Sequence, residues 1–243
     1  MGETVESRWA RYAVEGVLLD GFHALKHALR FGARVPVAVA TDRRAALALA
    51  EELAPDLTGT LDGLLHEVPA GTLGALVPRP HPTGVAALAL RDVGTLPAAP
   101  DREAPLVVLD NPRNLGNVGA VVRLAAGAGA GGVLTTGDVD PWHPAAVRAG
   151  AGLHFATPVE RRPVAGLPDG PLFAFDPEGD DLRSVTLPAG AMLAFGSERR
   201  GLSAEMRARA DRLVALPMRP QVSSYNLATS VAMALYHWLA RTG

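Results

Sequence analysis

Residues 105–137 read PLVVLDNPRNLGNVGAVVRLAAGAGAGGVLTTG. The stretch opens on a short apolar run, PLVVLD, of the kind that forms a strand buried on both faces. A polar loop, NPRNLG, follows it; NVGAVVRLAAGAGA then reads as helix, and GGVLTTG returns to a strand pattern. Strand, loop, helix and strand in so short a span predict a βαβ unit of a parallel sheet.

The same alternation continues toward the C-terminus. PLFAFD (171–176), AMLAFG (191–196) and RLVALPM (212–218) are further strand candidates, with the helix-like SAEMRARAD ahead of the last. SYNLATSVAMALYHWLART ends the chain as a helix that is apolar on most faces. The expectation is an α/β fold, a parallel sheet with helices on both faces.

Working back toward the N-terminus, TLPAAPDREAP (95–105) holds three prolines and a charge cluster and reads as a linker. Before it, a helical period runs from about Gly21 to Phe31, with Gly32 placed to stop it. The strand VPVAVAT (35–41) follows, then a helix with Asp42 as its N-cap candidate and a last apolar run, GVAALAL (84–90). The predicted division is a small α/β domain over 1–95, a linker over 96–104 and a catalytic domain over 105–243.

Composition excludes more than it assigns. The chain has 243 residues, 48% hydrophobic and 20% charged, enough to bury a core. It has no cysteine, which removes disulfides, thiolate metal sites and thiol nucleophiles together. The N-terminus, MGETVESRWARYAVEG, has no apolar signal core, and no apolar run is long enough for a membrane span. A cytoplasmic protein is expected. The net charge of −2 lacks the footprint of a nucleic-acid binder. Lys26 is the only lysine, so the cations are guanidinium forks that suit phosphates and base stacking. A GC-rich coding bias explains that arginine preference equally well.

Three loops at strand ends carry the candidate chemistry, where open α/β sheets bind ligands. In the first, Asn117 and Arg123 stand six apart on a helix start, and Gly116 and Gly119 allow close backbone approach. A capped helix with Arg123 in solvent accounts for it as well. The second, FGSERRGLSAEM, sets Glu198 beside two arginines, with Gly201 before a helix capped by Ser203. In the third, Ser223, Ser224 and Asn226 follow a proline-broken loop, and each is a natural N-cap.

Taken together and in this order, the loops resemble the SpoU branch of the SPOUT methyltransferases. That family carries N-x-G-x-x-x-R, G-x-E-x-x-G-L and P-M-x-x-x-x-S-x-N motifs. Here they are Asn117-Val-Gly119-Ala-Val-Val-Arg123, Gly196-Ser-Glu198-Arg-Arg-Gly201-Leu202, and Pro217-Met218 through Ser224-Tyr225-Asn226. The resemblance spans 105–240, and the first 90 residues look like the family's ribosomal-protein-like substrate-binding domain. Pro220 stands where glycine is common, Tyr225 replaces a leucine and Ala228 a frequent serine.

The resemblance implies a C-terminal trefoil knot, a topology otherwise nearly absent from proteins. It implies S-adenosylmethionine as cofactor, touched by Gly196, Leu216, Met218 and Tyr225. It also implies methylation of a ribose 2′-hydroxyl, with Arg123, Asn117, Glu198, Ser224 and Asn226 as catalytic residues and no metal. The expected partners are RNA, ribosomal before transfer RNA, and a second copy of the chain; no membrane is expected. Arg8, Arg11, Arg113, Arg199 and Arg200 are candidates for RNA contact. Trp238 and Tyr236 on the last helix fit either a dimer interface or the core.

Three rival readings fit the residues less well. The glycine-rich GAGAGG (127–132) ends a helix and precedes a strand, the reverse of a dinucleotide fingerprint. His81, His143 and His154 lack paired metal-ligand spacing, and His143 lies at a turn and helix start. A non-catalytic RNA-binding module would keep the fold without needing the five polar residues together.

Overall fold

Side-chain caps set where several helices begin. In the computed structural model, which describes residues 3–91, 94–99 and 102–242, the Thr4 hydroxyl accepts from Ser7 N and starts α1 (Val5–Ala13). Asp42 accepts from Ala45 N and starts α3 (Arg43–Leu53), as its sequence position predicts. Between them come β1 (Gly16–Asp20), α2 (Phe22–Arg30) and β2 (Val37–Ala40). Gly21, which joins β1 to α2, has φ +103 and lies so close to the His81 ring that a Cβ would sit 2.8 Å from it. α4 (Thr58–Leu64), β3 (Leu65–Glu67), α5 (Ala70–Leu76) and β4 (Val85–Leu90) complete this part. Its sheet runs β1-β4-β2-β3, with β4 antiparallel to both neighbours and only β2–β3 parallel. Trp9, Val37, Val39, Leu73 and Leu88 pack together in its core.

The second half is built from β5 (Leu106–Asp110), α6 (Leu115–Ala128), β6 (Gly132–Thr135), α7 (Pro144–Ala149) and β7 (Val159–Arg161). β8 (Leu172–Asp181), β9 (Met192–Gly196), α8 (Ala204–Arg209), β10 (Arg212–Ala215) and α9 (Leu227–Thr242) follow. Its six strands lie in the order β10-β8-β9-β5-β6-β7 and every pairing is parallel. Every residue of β5 and β6 is buried, so both faces of the sheet centre are covered. The parallel α/β expectation therefore holds for this half. Leu106, Val108, Leu134, Met192 and Ala194 form its core with Met206 of α8.

The chain divides into two compact units, residues 1–92 with 151–156 and residues 93–150 with 157–243. The stretch read as a linker over 96–104 is anchored where it is described. Leu96 joins the core of the second unit. The Arg102 side chain is 3% exposed and donates through Nη2 to the carbonyls of Asp169 and Gly190. Proline and charge in the sequence do not report that a guanidinium is buried against carbonyls there. Pro100 and Asp101 lie outside the described residues. No helix among the described residues is long and apolar enough to cross a membrane.

Candidate active site

The central strands β5 and β9 pair in register so that Asp110 lies opposite Gly196. Both chains leave the sheet there, and their loops carry the first two motifs. Asn114 caps α6, its side chain accepting from Gly116 N and Asn117 N. The loop after β9 closes on itself: Ser197 N donates to Gly201 O at 3.0 Å and Gly201 N to Ser197 O at 2.9 Å. Gly201, at φ +64, makes that turn possible.

The loop's tip reaches α6. Asn117 Nδ2 donates to Glu198 Oε1 at 2.8 Å, and Asn226 Nδ2 donates to Asn117 Oδ1 at 3.2 Å. Three residues separated by up to 109 positions thus form one chain of hydrogen bonds. Asn226 also caps α9, its Oδ1 accepting from Ala228 N at 2.9 Å. Burial alone would raise the pKa of Glu198. The Asn117 amide and the backbone N–H groups of Glu198, Arg113 and Asn114 outweigh it and hold the carboxyl below its ordinary value. Glu198 is thus a charged anchor at the start of α6 rather than a proton acceptor. Its tie is present above the ordinary carboxylate range and is lost as pH falls below it.

Beside this chain lies a cavity of about 350 Å³. Gly196, Leu216, Met218 and Tyr225, the four residues expected at a cofactor, all line it, as do Glu198, Ser224 and Asn226. Phe175 and Phe195 stack in its wall, centroids 4.4 Å apart. Asp176 and Glu198 are its only charged lining residues. The Asp176 carboxylate is 2.5 Å from Arg207 Nη2.

Arg123 is the expected residue that the structure does not bring in. It is exposed, does not line the cavity and makes no hydrogen bond or ion pair among the described residues. Six residues along α6 rise about 9 Å and turn it about 120° away from Asn117. The spacing thus separates the two residues around the helix. Sequence reading also missed Phe175 and Asp176, which line the cavity. The available signal was an aromatic or acidic residue ending an apolar strand, as in LFAFD.

Tyr225, the departure from leucine, donates its hydroxyl to Pro217 O at 3.0 Å and closes the third loop over the cavity. Tyr225→Phe removes that single exposed bond, so cofactor affinity should fall by no more than about fivefold. Tyr225→Leu should do the same; isothermal titration of both variants checks it.

The arginines divide sharply. Arg30, Arg43, Arg162, Arg183, Arg207 and Arg212 each pair with a carboxylate. Arg8 and Arg11, expected to meet RNA, are drawn to Glu3. Arg34, Arg44, Arg113, Arg123, Arg199, Arg200 and Arg219 are exposed, with side chains unpaired among the described residues. The last five lie within the three motif loops or α6. Arg199 and Arg200 fall between the lining residues Glu198 and Gly201, and Arg219 follows Met218.

Comparison with known proteins identifies the family and the fold. The SpoU rRNA Methylase family matches residues 104–236, and the chain belongs to that family. A 23S rRNA (uridine(2479)-2′-O)-methyltransferase of Streptomyces viridochromogenes is 33% identical over 171 residues, 64% of this chain and 59% of that protein. The chain spans less than two thirds of the curated relatives it first matches. The SpoU methyltransferase AviRb of Streptomyces viridochromogenes, crystallised with AdoMet, has the same fold. Its TM-score is 0.77 at 23% identity, over 99% of this chain and 98% of that one. An RNA 2′-O ribose methyltransferase structure gives a TM-score of 0.75 at 27% identity, over 98% and 93% of the two chains.

Proposed function

We infer that this chain transfers a methyl group from S-adenosylmethionine to a ribose 2′-hydroxyl of RNA, with ribosomal RNA as the substrate. The observation that carries the reading is the split of charge at one site. The cavity is lined by Asp176 and Glu198 and by no cation, while Arg113, Arg199, Arg200 and Arg219 lie unpaired in the loops beside it. With Asp176 balanced by Arg207, Glu198 leaves the cavity a negative wall that suits a cationic sulfonium cofactor, and arginine forks suit phosphates. The cavity's volume is within the range of small-molecule sites. Gly196, Leu216, Met218 and Tyr225 would hold the cofactor, with Phe175 and Phe195 as an apolar wall. S-adenosylmethionine, when bound, supplies an electrophilic methyl group, so the protein must position and activate the hydroxyl.

Asn117 and Asn226, locked to Glu198, orient the ribose, and Ser224 faces the same space. Arg123 cannot serve as a base, because a guanidinium stays protonated. It holds the hydroxyl and an adjoining phosphate and stabilises the negative charge that develops on the ribose oxygen as its proton leaves. The O–CH3 bond would form as the S–CH3 bond breaks, with S-adenosylhomocysteine as the departing thioether. The hydroxyl proton passes to a phosphate oxygen or to water.

A homodimer is part of this reading, because Arg123 stands away from its own cavity. Tyr236 and Leu239, 74% and 41% exposed on α9, offer an apolar contact face, whereas Trp238 is buried in the core. The segment 216–226 is read as the closing loop of a trefoil knot. In support, the chain leaves β10 at the sheet edge, yet α9 packs on α6 and β9 nearer the centre. The first unit is read as the substrate-binding domain. Its presence favours ribosomal RNA over transfer RNA, as the family resemblance implies.

Labelled methyl transfer from S-adenosylmethionine to total bacterial RNA, followed by nucleoside analysis, tests the activity. A 2′-O-methylated nucleoside is expected; cofactor binding without any RNA product would favour a binding module. The arginines carry a separate expectation. Replacing Arg113, Arg199 and Arg200 with alanine should flatten the slope of log affinity against log salt by about two to three. An unchanged slope would move the RNA contacts elsewhere.

A further inference from the structure

Asp110 is a buried carboxylate that no motif includes. It is 2% exposed and ends β5 directly opposite Gly196. Its Oδ1 accepts from the buried Thr136 hydroxyl at 2.8 Å, and its Oδ2 accepts from Ser203 N at 2.6 Å. Thr136 in turn accepts from Asn111 N at 2.9 Å, the first residue of the loop leading to Asn117. Ser203 follows the closed Ser197–Gly201 loop after Leu202 and caps α8 with its own hydroxyl. One side chain therefore ties together the ends of β5 and β6 and the base of the loop that carries Glu198. A buried carboxylate is costly unless its lone pairs are satisfied, and here each oxygen has a donor.

We propose that Asp110 is a positioning residue that sets the cofactor cavity, by pinning the base of the Gly196–Gly201 loop while Glu198 pins its tip to α6. Asp110 does not line the cavity, so it acts through the loop. This rests on the cofactor reading above. Loosening the base leaves the loop held at Glu198 alone, so Gly196 and Ser197 lose their fixed place against the cavity. The loss falls on cofactor binding before it falls on the chemical step.

The test compares three variants by titration with S-adenosylmethionine, thermal unfolding and steady-state methyl transfer. Asp110→Leu removes both bonds and keeps the branched outline, although its methyls are bulkier than the carboxylate oxygens, and should raise Kd and KM for the cofactor roughly tenfold or more. The kcat at saturating cofactor should stay within about threefold of the parent. Asp110→Asn keeps one carbonyl oxygen that can accept from Ser203 N–H, and should restore most of the affinity. Ser203→Ala removes the α8 cap but keeps that N–H; it should lower the unfolding temperature without changing Kd. Should Asp110→Leu fail to fold, Thr136→Val, which frees one carboxylate oxygen, decides with an expected weakening of several-fold. Unchanged affinity in a folded Asp110→Leu or Thr136→Val protein overturns the proposal. So does an equal loss in Ser203→Ala, which would mark a general stability effect. A parent protein that binds no S-adenosylmethionine would instead defeat the cofactor reading itself.

Discussion

Replacing Arg123 with alanine should cut methyl transfer by a factor of about 10²–10³ while leaving S-adenosylmethionine binding unchanged. Arg123 lines no part of the cavity and holds no other residue of the protein in place. Its removal therefore costs neither fold nor cofactor, and any effect must be on RNA. The loss should appear mainly in kcat, because charge develops on the ribose oxygen only during the reaction, with a smaller rise in KM for RNA from the lost phosphate contact. Arg123→Lys should recover little, since an ammonium offers no planar fork to hold a hydroxyl and a phosphate together. Mixed dimers decide which cavity the guanidinium serves. Arg123→Ala subunits mixed with subunits whose cavity is disabled are each inactive alone. If Arg123 reaches its partner's cavity, random mixing restores about a quarter of the sites. If it serves its own, mixing restores nothing. Normal turnover by Arg123→Ala would remove the central role assigned to it.

The sequence showed the second unit more clearly than the first, for a physical reason. β5, β6 and β9 are covered on both faces, so they read as unbroken apolar runs between polar loops. α4 and α5, TGTLDGL and AGTLGAL, carry two glycines each and have little intrinsic helical preference; tertiary packing of Leu61 and Leu73 forms them. GVLLD runs directly into DGFHALK, so the strand β1 was hidden beside a strong helical period. Nor does the sequence show that β4 pairs antiparallel with β1 and β2. β8 extends through PEGDD to Asp181, residues that disfavour strands, because a register shift lets β10 pair with both of its ends.

At the site, motif order was enough to select Asn117, Glu198 and Asn226, which the structure joins by hydrogen bonds. Spacing along a helix was not enough for Arg123, because six residues is neither one turn nor two. Asp110 escaped notice because its meaning lies in partners 26 and 93 residues away. A strand-ending aspartate has no local signature that separates a loop anchor from an ordinary cap.

Gly196→Ala should weaken cofactor binding at least about a hundredfold and lower stability by about 1–3 kcal/mol. A Cβ at Gly196 would sit 2.1 Å from Gly201 C, 2.2 Å from Leu202 N and 2.5 Å from Gly201 O. Those are backbone atoms, and no side chain can swing aside to make room. The Ser197–Gly201 hydrogen bonds and the Asp110–Ser203 bond hold that backbone against the strand. Relief must come by pushing the loop outward, which draws Glu198 from Asn117 and widens the cavity where Gly196 lines it. Gly201 is the informative comparison. It has open space around its Cβ position but a φ of +64, so Gly201→Ala costs about 1 kcal/mol of backbone strain without a clash. Titration with S-adenosylmethionine and thermal unfolding should therefore separate the two alanines by affinity far more than by stability. If Gly196→Ala binds the cofactor as tightly as Gly201→Ala, the tight approach of loop to strand is not what shapes the cavity. The cofactor contacts would then lie mainly in the 216–226 segment.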